Sequence, residues 1–380
     1  MNILFNFSTL KAGGGQNVAL NFLHCFREKR YYERYESCYY VVASGSKIDS
    51  YLSTFVDGER IYRVSSNPLK RLVDEFFGAR QFIRQYRIDI IYSYFGYGMF
   101  PCRVPQIAGS AVSNIYFPEI NFWEGFSGFG LWKRKLVDRY RRWTVMRSAG
   151  VVFETELLEH RCRKLFRPKG LLTTIRPSIF VPQHAKDFIF PKEVELQKKG
   201  LFLCGWQRNK QIMLIPEIAA CLKKRAVPFL FVLTAPKDDS PFHHEFLAKV
   251  KENDVHEYIY LPGTIEKAML ASLYRQIDFV FLLSKLESFS NNIIEAWTFG
   301  KPLIASDEEW THAICGDSAI YVERSSPEEI ASQITSCLND EKRITQVVEA
   351  GKKILSEYPT IEERTEQELS FIEKVYAQSH

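Results

Sequence analysis

Phe279-Val-Phe-Leu-Leu-Ser-Lys-Leu-Glu287-Ser-Phe-Ser-Asn-Asn-Ile-Ile-Glu295-Ala-Trp-Thr-Phe-Gly-Lys-Pro302-Leu-Ile-Ala-Ser-Asp307 carries an apolar run, a polar turn, an amphipathic run and a second apolar run. The first run reads as a buried strand ending near Ser284, and Leu303–Ala305 reads as the next strand. Ser288–Asn292 is a small polar turn, and Ser290 or Asn291 is a natural N-cap for a helix that starts about Ile293. Strand, helix and strand in this order form a parallel crossover unit. Glu287 then sits just past the carboxyl edge of a sheet, and Glu295 about one turn into the helix.

The same alternation extends through the chain. Short apolar runs fall at Ile3–Phe7, Tyr39–Ala43, Ile88–Tyr92, Val151–Phe153 and Leu171–Ile175 in the first half. In the second half they fall at Leu201–Cys204, Phe229–Thr234, Tyr258–Leu261, Phe279–Leu283, Leu303–Ala305 and Ala319–Val322. Helical periods lie between, as in Val18–Phe26 and Ile212–Lys224. At 380 residues two domains are expected. The segment Pro177–Gly200, with Pro177, Pro182 and Pro191 and the polar run Glu193–Gly200, is the best boundary. The expectation is an α/β chain of two doubly wound, Rossmann-like domains facing a cleft. They span 1–180 and 181–360, with a C-terminal helix in 361–380 whose return to the first domain is left open.

Open α/β sheets bind ligands beyond the carboxyl ends of their strands. An unpaired helix N-terminus there suits an anionic diphosphate, and a carboxylate can grip two hydroxyls of a sugar or ribose. Taken alone, Glu287 and Glu295 also read as a solvated loop residue and an ordinary helix residue.

The spacing of the two carboxylates, with Gly300-Lys-Pro302 and the strand that follows, resembles the Glu-x7-Glu signature of retaining family-4 glycosyltransferases of the GT-B fold. The resemblance implies that Glu287 contacts the donor sugar and Glu295 the ribose, with Ser288, Phe289, Ser290 and Asn291 completing the donor turn. The glycines that usually flank that Phe are serines here. Leu201-Phe-Leu-Cys-Gly205-Trp-Gln-Arg208-Asn-Lys210 looks like the family's phosphate-binding element, which assigns Arg208 and Lys210 to the donor diphosphate. Tyr260-Leu-Pro-Gly263-Thr264, followed by Leu273-Tyr274 and Asp278, looks like its base-binding turn. In the first half, Thr9-Leu-Lys-Ala-Gly13-Gly14-Gly15-Gln16-Asn17 follows a strand, and in the family this loop faces diphosphate and acceptor. Gly14 and Gly15 let a ligand approach the backbone. Relatives carry a His after a middle strand of that domain, but no His occurs between His24 and His160. Asn114 or Glu119 is the polar group available in the matching region, and with Glu287 these two are the catalytic candidates.

Other classes fit less well. Eight cysteines without a C-x-x-C pair argue against zinc and against a disulfide framework. No Asp-x-Asp occurs, so a metal-held diphosphate is not expected, and no cofactor is implied. No apolar stretch is long enough to span a bilayer and the first residues lack a signal peptide's features, so a cytoplasmic protein is expected. Residues 1–180 hold 27 basic against 15 acidic residues, net +12, while the remainder is net −7. Trp132–Arg147 concentrates seven cations, one Asp and two tryptophans, as in helices that lie on anionic membranes. That segment predicts peripheral attachment to the inner face of the cell membrane. No recognised nucleic-acid motif accompanies the charge. The reading is a metal-independent hexosyltransferase that moves sugar from a nucleotide-sugar donor to a lipid-linked glycan acceptor. Its place would be in surface polysaccharide, lipopolysaccharide or glycolipid synthesis. The alternatives are a nucleotide-sugar 2-epimerase of the same fold and a non-catalytic binding partner of another transferase.

Overall fold

The computed structural model describes residues 1–11, 13–99, 102–179, 185–194 and 197–380. Ala12 of the glycine-rich turn, Pro182 of the boundary segment, and residues 195–196 of its polar run lie outside them. The chain forms two compact units: Met1–Ser178 with Pro359–His380, and Ile179–Tyr358.

The first unit is built on strands β1 (Asn2–Phe7), β2 (Ser37–Ala43), β3 (Ile61–Val64), β4 (Ile90–Ser93), β5 (Gln106–Ser110), β6 (Gly150–Phe153) and β7 (Leu171–Thr174). They form one sheet in the order β3-β2-β1-β4-β5-β6-β7, with every pairing parallel. Parallel strands covered on both faces need apolar side chains on both, and Ile3, Leu4, Phe5 and Phe7 are all fully buried. Phe5 is the hub of one face: Phe26 meets it edge-on at 5.3 Å and Tyr40 stacks at 5.9 Å. Strands β3 and β5 were not foreseen. Ile61–Val64 is a short edge strand whose middle residues are more exposed, and Gln106-Ile-Ala-Gly-Ser110 lacks the β-branched density that marks a strand.

The C-terminal helix Ile361–Ser379 returns to this unit, placing Leu369, Phe371, Ile372 and Val375 in its core. Each such side chain contributes roughly 1.5–3 kcal/mol on burial. Thr360 and Glu363 form a capping box at its start, and Arg34 holds Glu366 through two hydrogen bonds of 2.7 and 2.6 Å. Its Arg364 and Glu368 are buried together, 3.0 Å apart, with the Tyr94 hydroxyl on the same carboxylate.

The second unit has β8 (Lys198–Phe202), β9 (Phe229–Leu233), β10 (Ile259–Tyr260), β11 (Phe279–Leu282), β12 (Leu303–Ser306) and β13 (Ala319–Val322). Their order is β10-β9-β8-β11-β12-β13, again all parallel. Aromatic rings fill the centre. A side chain at Gly200 would lie 2.2 Å from the Phe281 ring, so only glycine lets these strands meet. Strand β8 starts earlier than the expected Leu201, inside the run read as linker. The cause is Asp278, which takes the Lys199 N–H at 2.8 Å and the Lys198 ammonium at 2.9 Å, anchoring two lysines as strand residues. No helix among the described residues is long and apolar enough to cross a membrane.

Candidate functional site

Each sheet has one place where the strand order reverses direction. In the second unit it lies between β8 and β11, which are hydrogen-bonded neighbours in register Gly200↔Phe279 and Leu201↔Val280. Crossovers leaving these two strands run to opposite sides, which opens a crevice between the loops that follow them. Those loops are Leu203–Lys210 and Leu283–Ser290, the two stretches singled out in the sequence.

Asparagines lace them together. Asn209 donates to the Leu286 carbonyl at 2.8 Å and accepts the Lys285 N–H at 2.9 Å through its own carbonyl. Asn292 donates to the Leu203 carbonyl at 3.0 Å. Across this frame Lys210 Nζ meets Glu287 Oε1 at 2.6 Å, with both side chains largely buried. The Ser284 hydroxyl donates to the same carboxylate oxygen. Glu287 is therefore fixed from two sides just beyond β11, and Lys210 is held beside it. Arg208 behaves differently. It is exposed, pairs with Glu245 at 3.2 Å and lies 5.0 Å over the Phe242 ring, so the two basic residues of the loop are held by different carboxylates.

The helix after this loop runs Asn291–Thr298 with Ser290 as N-cap, two residues before the expected start. No side chain caps its first turn. Ser290 and Phe289 are buried, and Phe289 packs 6.0 Å from Tyr358. Glu295 lies half-buried on this helix and accepts the Tyr274 hydroxyl at 2.6 Å. Burial pushes its carboxyl up to about 7, against the opposing hydrogen bond from Tyr274 and the charge of Lys267. Tyr274 is fully buried and stacks on Phe299 at 4.9 Å. Cys204, between the strand and the basic residues, is pushed up to about 12 by burial and stays a thiol at neutral pH. Gly263 follows β10 with φ of +89°, a conformation that favours glycine, and Thr264 beside it is exposed.

In the first unit the reversal lies between β1 and β4. The turn after β1 ends at Gly13, with φ +82°, and the helix Gly14–Glu28 starts at once. Gln16 is buried and ties the turn down through the Leu10 and Lys11 carbonyls at 3.2 and 3.0 Å. A side chain at Gly15 would come within 3.2 Å of Leu10. Asn114 and Glu119 are each engaged by another side chain. Asn114 is buried and donates to Asp138 at 2.7 Å, and Trp123 and Arg141 donate to the same carboxylate at 2.6 and 3.1 Å. Glu119 is exposed and paired with Arg161 at 2.6 Å.

The basic segment is the helix Gly128–Arg147. Arg134 stacks 3.6 Å over Phe126, and Arg141 is tied to Asp138. Phe129, Trp132, Leu136 and Met146 are exposed, while Thr144 and Val145 are buried. Sequence reasoning missed Asp138, the bond from Ser284 to Glu287, and the bond to Glu295 from Tyr274, which it placed with the base-binding turn. The signal for Ser284 was its place three residues before Glu287, at the end of the strand.

Residues 197–340 match the family model Glycosyl transferases group 1. No curated protein matches the chain. Over its full length the chain is similar to solved structures of the GT-B fold, and that is its fold. Sucrose-phosphate synthase from Thermosynechococcus elongatus aligns with a TM-score of 0.76 at 13% identity, covering 100% of both chains. HepE from Anabaena, solved in complex with UDP and glucose, gives 0.71 at 16% identity over 98% of this chain and 100% of its own. A glycosyltransferase from Rickettsia africae gives 0.69 at 14% identity, covering 98% of each chain.

Proposed function

We propose that the chain is a retaining glycosyltransferase that takes a hexose from a nucleotide-sugar bound by the second unit. The observation that carries this is the grouping at one switch point of Lys210, Glu287 and an uncapped helix N-terminus. Backbone N–H groups and an ammonium suit a diphosphate, and the fixed Glu287 suits sugar hydroxyls. The match of residues 197–340 to a glycosyltransferase family model and the UDP and glucose held by a protein of similar fold support the same reading.

In this reading Lys210 and the N–H groups of Asn291 and Asn292 hold the diphosphate, with Arg208 swinging from Glu245 to join them. Ser288 and Ser290 donate hydroxyls to it. Glu295 takes the ribose diol, and the backbone at Gly263 and Thr264 takes the base. Negative charge grows on the leaving diphosphate as the glycosidic bond breaks, and donors already aimed at it lower that barrier. The acceptor hydroxyl attacks from the leaving group's side and passes its proton to the departing diphosphate oxygen. Gly14 and Gly15 leave room for a ligand at the first unit, where Asn114 or Glu119 is the candidate polar group. With Lys210 and Arg208 as counter-ions, no metal is required. The acceptor is a lipid-linked glycan of surface polysaccharide or glycolipid synthesis. The helix Gly128–Arg147 attaches the protein to an anionic membrane through Trp132, Lys133 and Lys135.

A thermal-shift panel of UDP-, GDP-, dTDP- and CMP-sugars tests the donor class, since a ligand of the native state stabilises by RT ln(1 + [L]/Kd). One base should raise the melting temperature and the others should not. No shift with any of them at millimolar concentration would refute the reading.

A further inference from the structure

The first unit contains a cavity of about 510 Å³ that no residue assigned to the donor enters. Its floor is the carboxyl end of β1, at Asn6, Ser8 and Thr9, where sheets of this class bind ligands. The Thr9 hydroxyl is buried there without a hydrogen-bond partner. Met99, Leu136, Val137, Tyr140 and Trp143 supply walls that are mainly apolar. A volume in the range of roughly 300–1,000 Å³, apolar walls and a few polar groups are the usual marks of a small-molecule site.

One wall is the inner face of the helix Gly128–Arg147, and its spacing makes the cavity continuous with the surface. Phe129, Trp132, Leu136, Tyr140 and Trp143 recur at intervals of three and four, so they line one stripe. The first three are exposed, with Phe129 and Trp132 stacked at 5.6 Å, and the last two, with Leu136, border the cavity. An apolar chain can thus run from the surface into the cavity without leaving apolar contact. Charge selects what travels with it. Arg139 borders the cavity, and Lys135 precedes it by one turn. The acid at the rim, Glu75, is neutralised by Arg71 at 2.7 Å. The field beside the apolar wall is therefore positive.

We propose that this cavity binds an amphiphile in which an apolar chain adjoins a phosphate, the chain against Leu136, Val137, Tyr140 and Trp143 and the phosphate at Arg139. The inference rests on the glycosyltransferase reading in taking this molecule as the acceptor's carrier.

The test uses the full chain and no nucleotide-sugar. Decyl phosphate, below its micelle concentration, is titrated by calorimetry against decanol and inorganic phosphate. Saturable one-to-one binding of decyl phosphate is expected, with weaker binding of decanol and none of phosphate alone. Val137→Trp fills the cavity and should weaken decyl phosphate by roughly tenfold, the loss of about two buried methylenes. Arg139→Gln should weaken decyl phosphate by about fivefold and leave decanol unchanged. Should Val137→Trp not fold, a bromo-alkyl phosphate should quench tryptophan fluorescence of the unaltered chain, and Trp143→Phe should remove most of the quenching. Absence of saturable binding, equal binding of phosphate alone, or indifference to both substitutions would overturn the proposal. Such a failure leaves the donor assignments standing, and a failed nucleotide-sugar panel leaves this result untouched.

Discussion

Replacing Glu295 by glutamine removes a charge that the fold holds at a cost, and the cost has a pH signature. The carboxyl has an ordinary value of 4.5 in the unfolded chain and is raised to about 7 in the fold, chiefly by burial. The native state therefore binds a proton that the unfolded state has released, and stability falls as pH rises between those two values. Below 4.5 both states are protonated and the cost is absent; above 7 both are ionised and it is complete. Each factor of ten in the acid constant is worth about 1.4 kcal/mol, so the full cost is about 3 kcal/mol. Glutamine is never charged, and its carbonyl still accepts the Tyr274 hydroxyl. Glu295→Gln should match the wild type near pH 4.5 and exceed it by about 2–3 kcal/mol at pH 8. Urea unfolding read by hydrogen exchange in the β11 and β12 peptides reports on the second unit alone. A gain that does not change with pH, or a loss at pH 8, would refute the argument. The same substitution should weaken nucleotide binding at pH 8 by about 1 kcal/mol, because a neutral acceptor replaces a charged one. Wild-type affinity should accordingly improve as pH rises through 7.

Lys210→Met leaves Glu287 in a largely buried position without its partner, and should cost about 2–3 kcal/mol in urea unfolding, most of it recovered by adding Glu287→Gln. An equal loss in the double variant would show that the pair is not coupled. Transfer should persist in excess EDTA if Lys210 and Arg208 serve as the proposed counter-ions; loss on chelation with recovery in Mg²⁺ or Mn²⁺ would contradict this. The protein should co-sediment with anionic liposomes at low salt, release at high salt and ignore neutral ones. The changes that test this are Lys133→Glu with Lys135→Glu, since Arg134 and Arg141 are engaged by Phe126 and Asp138 and their loss would disturb the fold. Undiminished binding by that double variant would exclude the helix as the contact.

The legible parts of this chain are those where one physical demand fixes residue type over several positions. A parallel strand buried on both faces must be apolar throughout, so Phe279–Leu282 and Ile3–Phe7 stand out from any neighbour. Gln106–Ser110 is equally buried but has to be small. A side chain at Gly109 would lie 2.7 Å from the Phe95 backbone, so close packing removed the bulk by which a strand is recognised. At the site, positions that follow from chain direction were visible: loops after β8 and β11 must emerge on the same edge, and Lys210 and Glu287 do meet. Pairings set by distant segments were not. Nothing local tells Asn114 that Asp138, 24 residues on, will take its amide, or Arg208 that Glu245 will hold it rather than Glu287. The basic helix shows both limits at once. Its composition marks a cationic apolar element, yet composition does not tell that Val137, Tyr140 and Trp143 border a cavity beside β1. Periodicity identifies which residues share a face of a helix. What that face meets is decided by the loop after β1, more than a hundred residues earlier in the chain, which no periodicity within the helix can express.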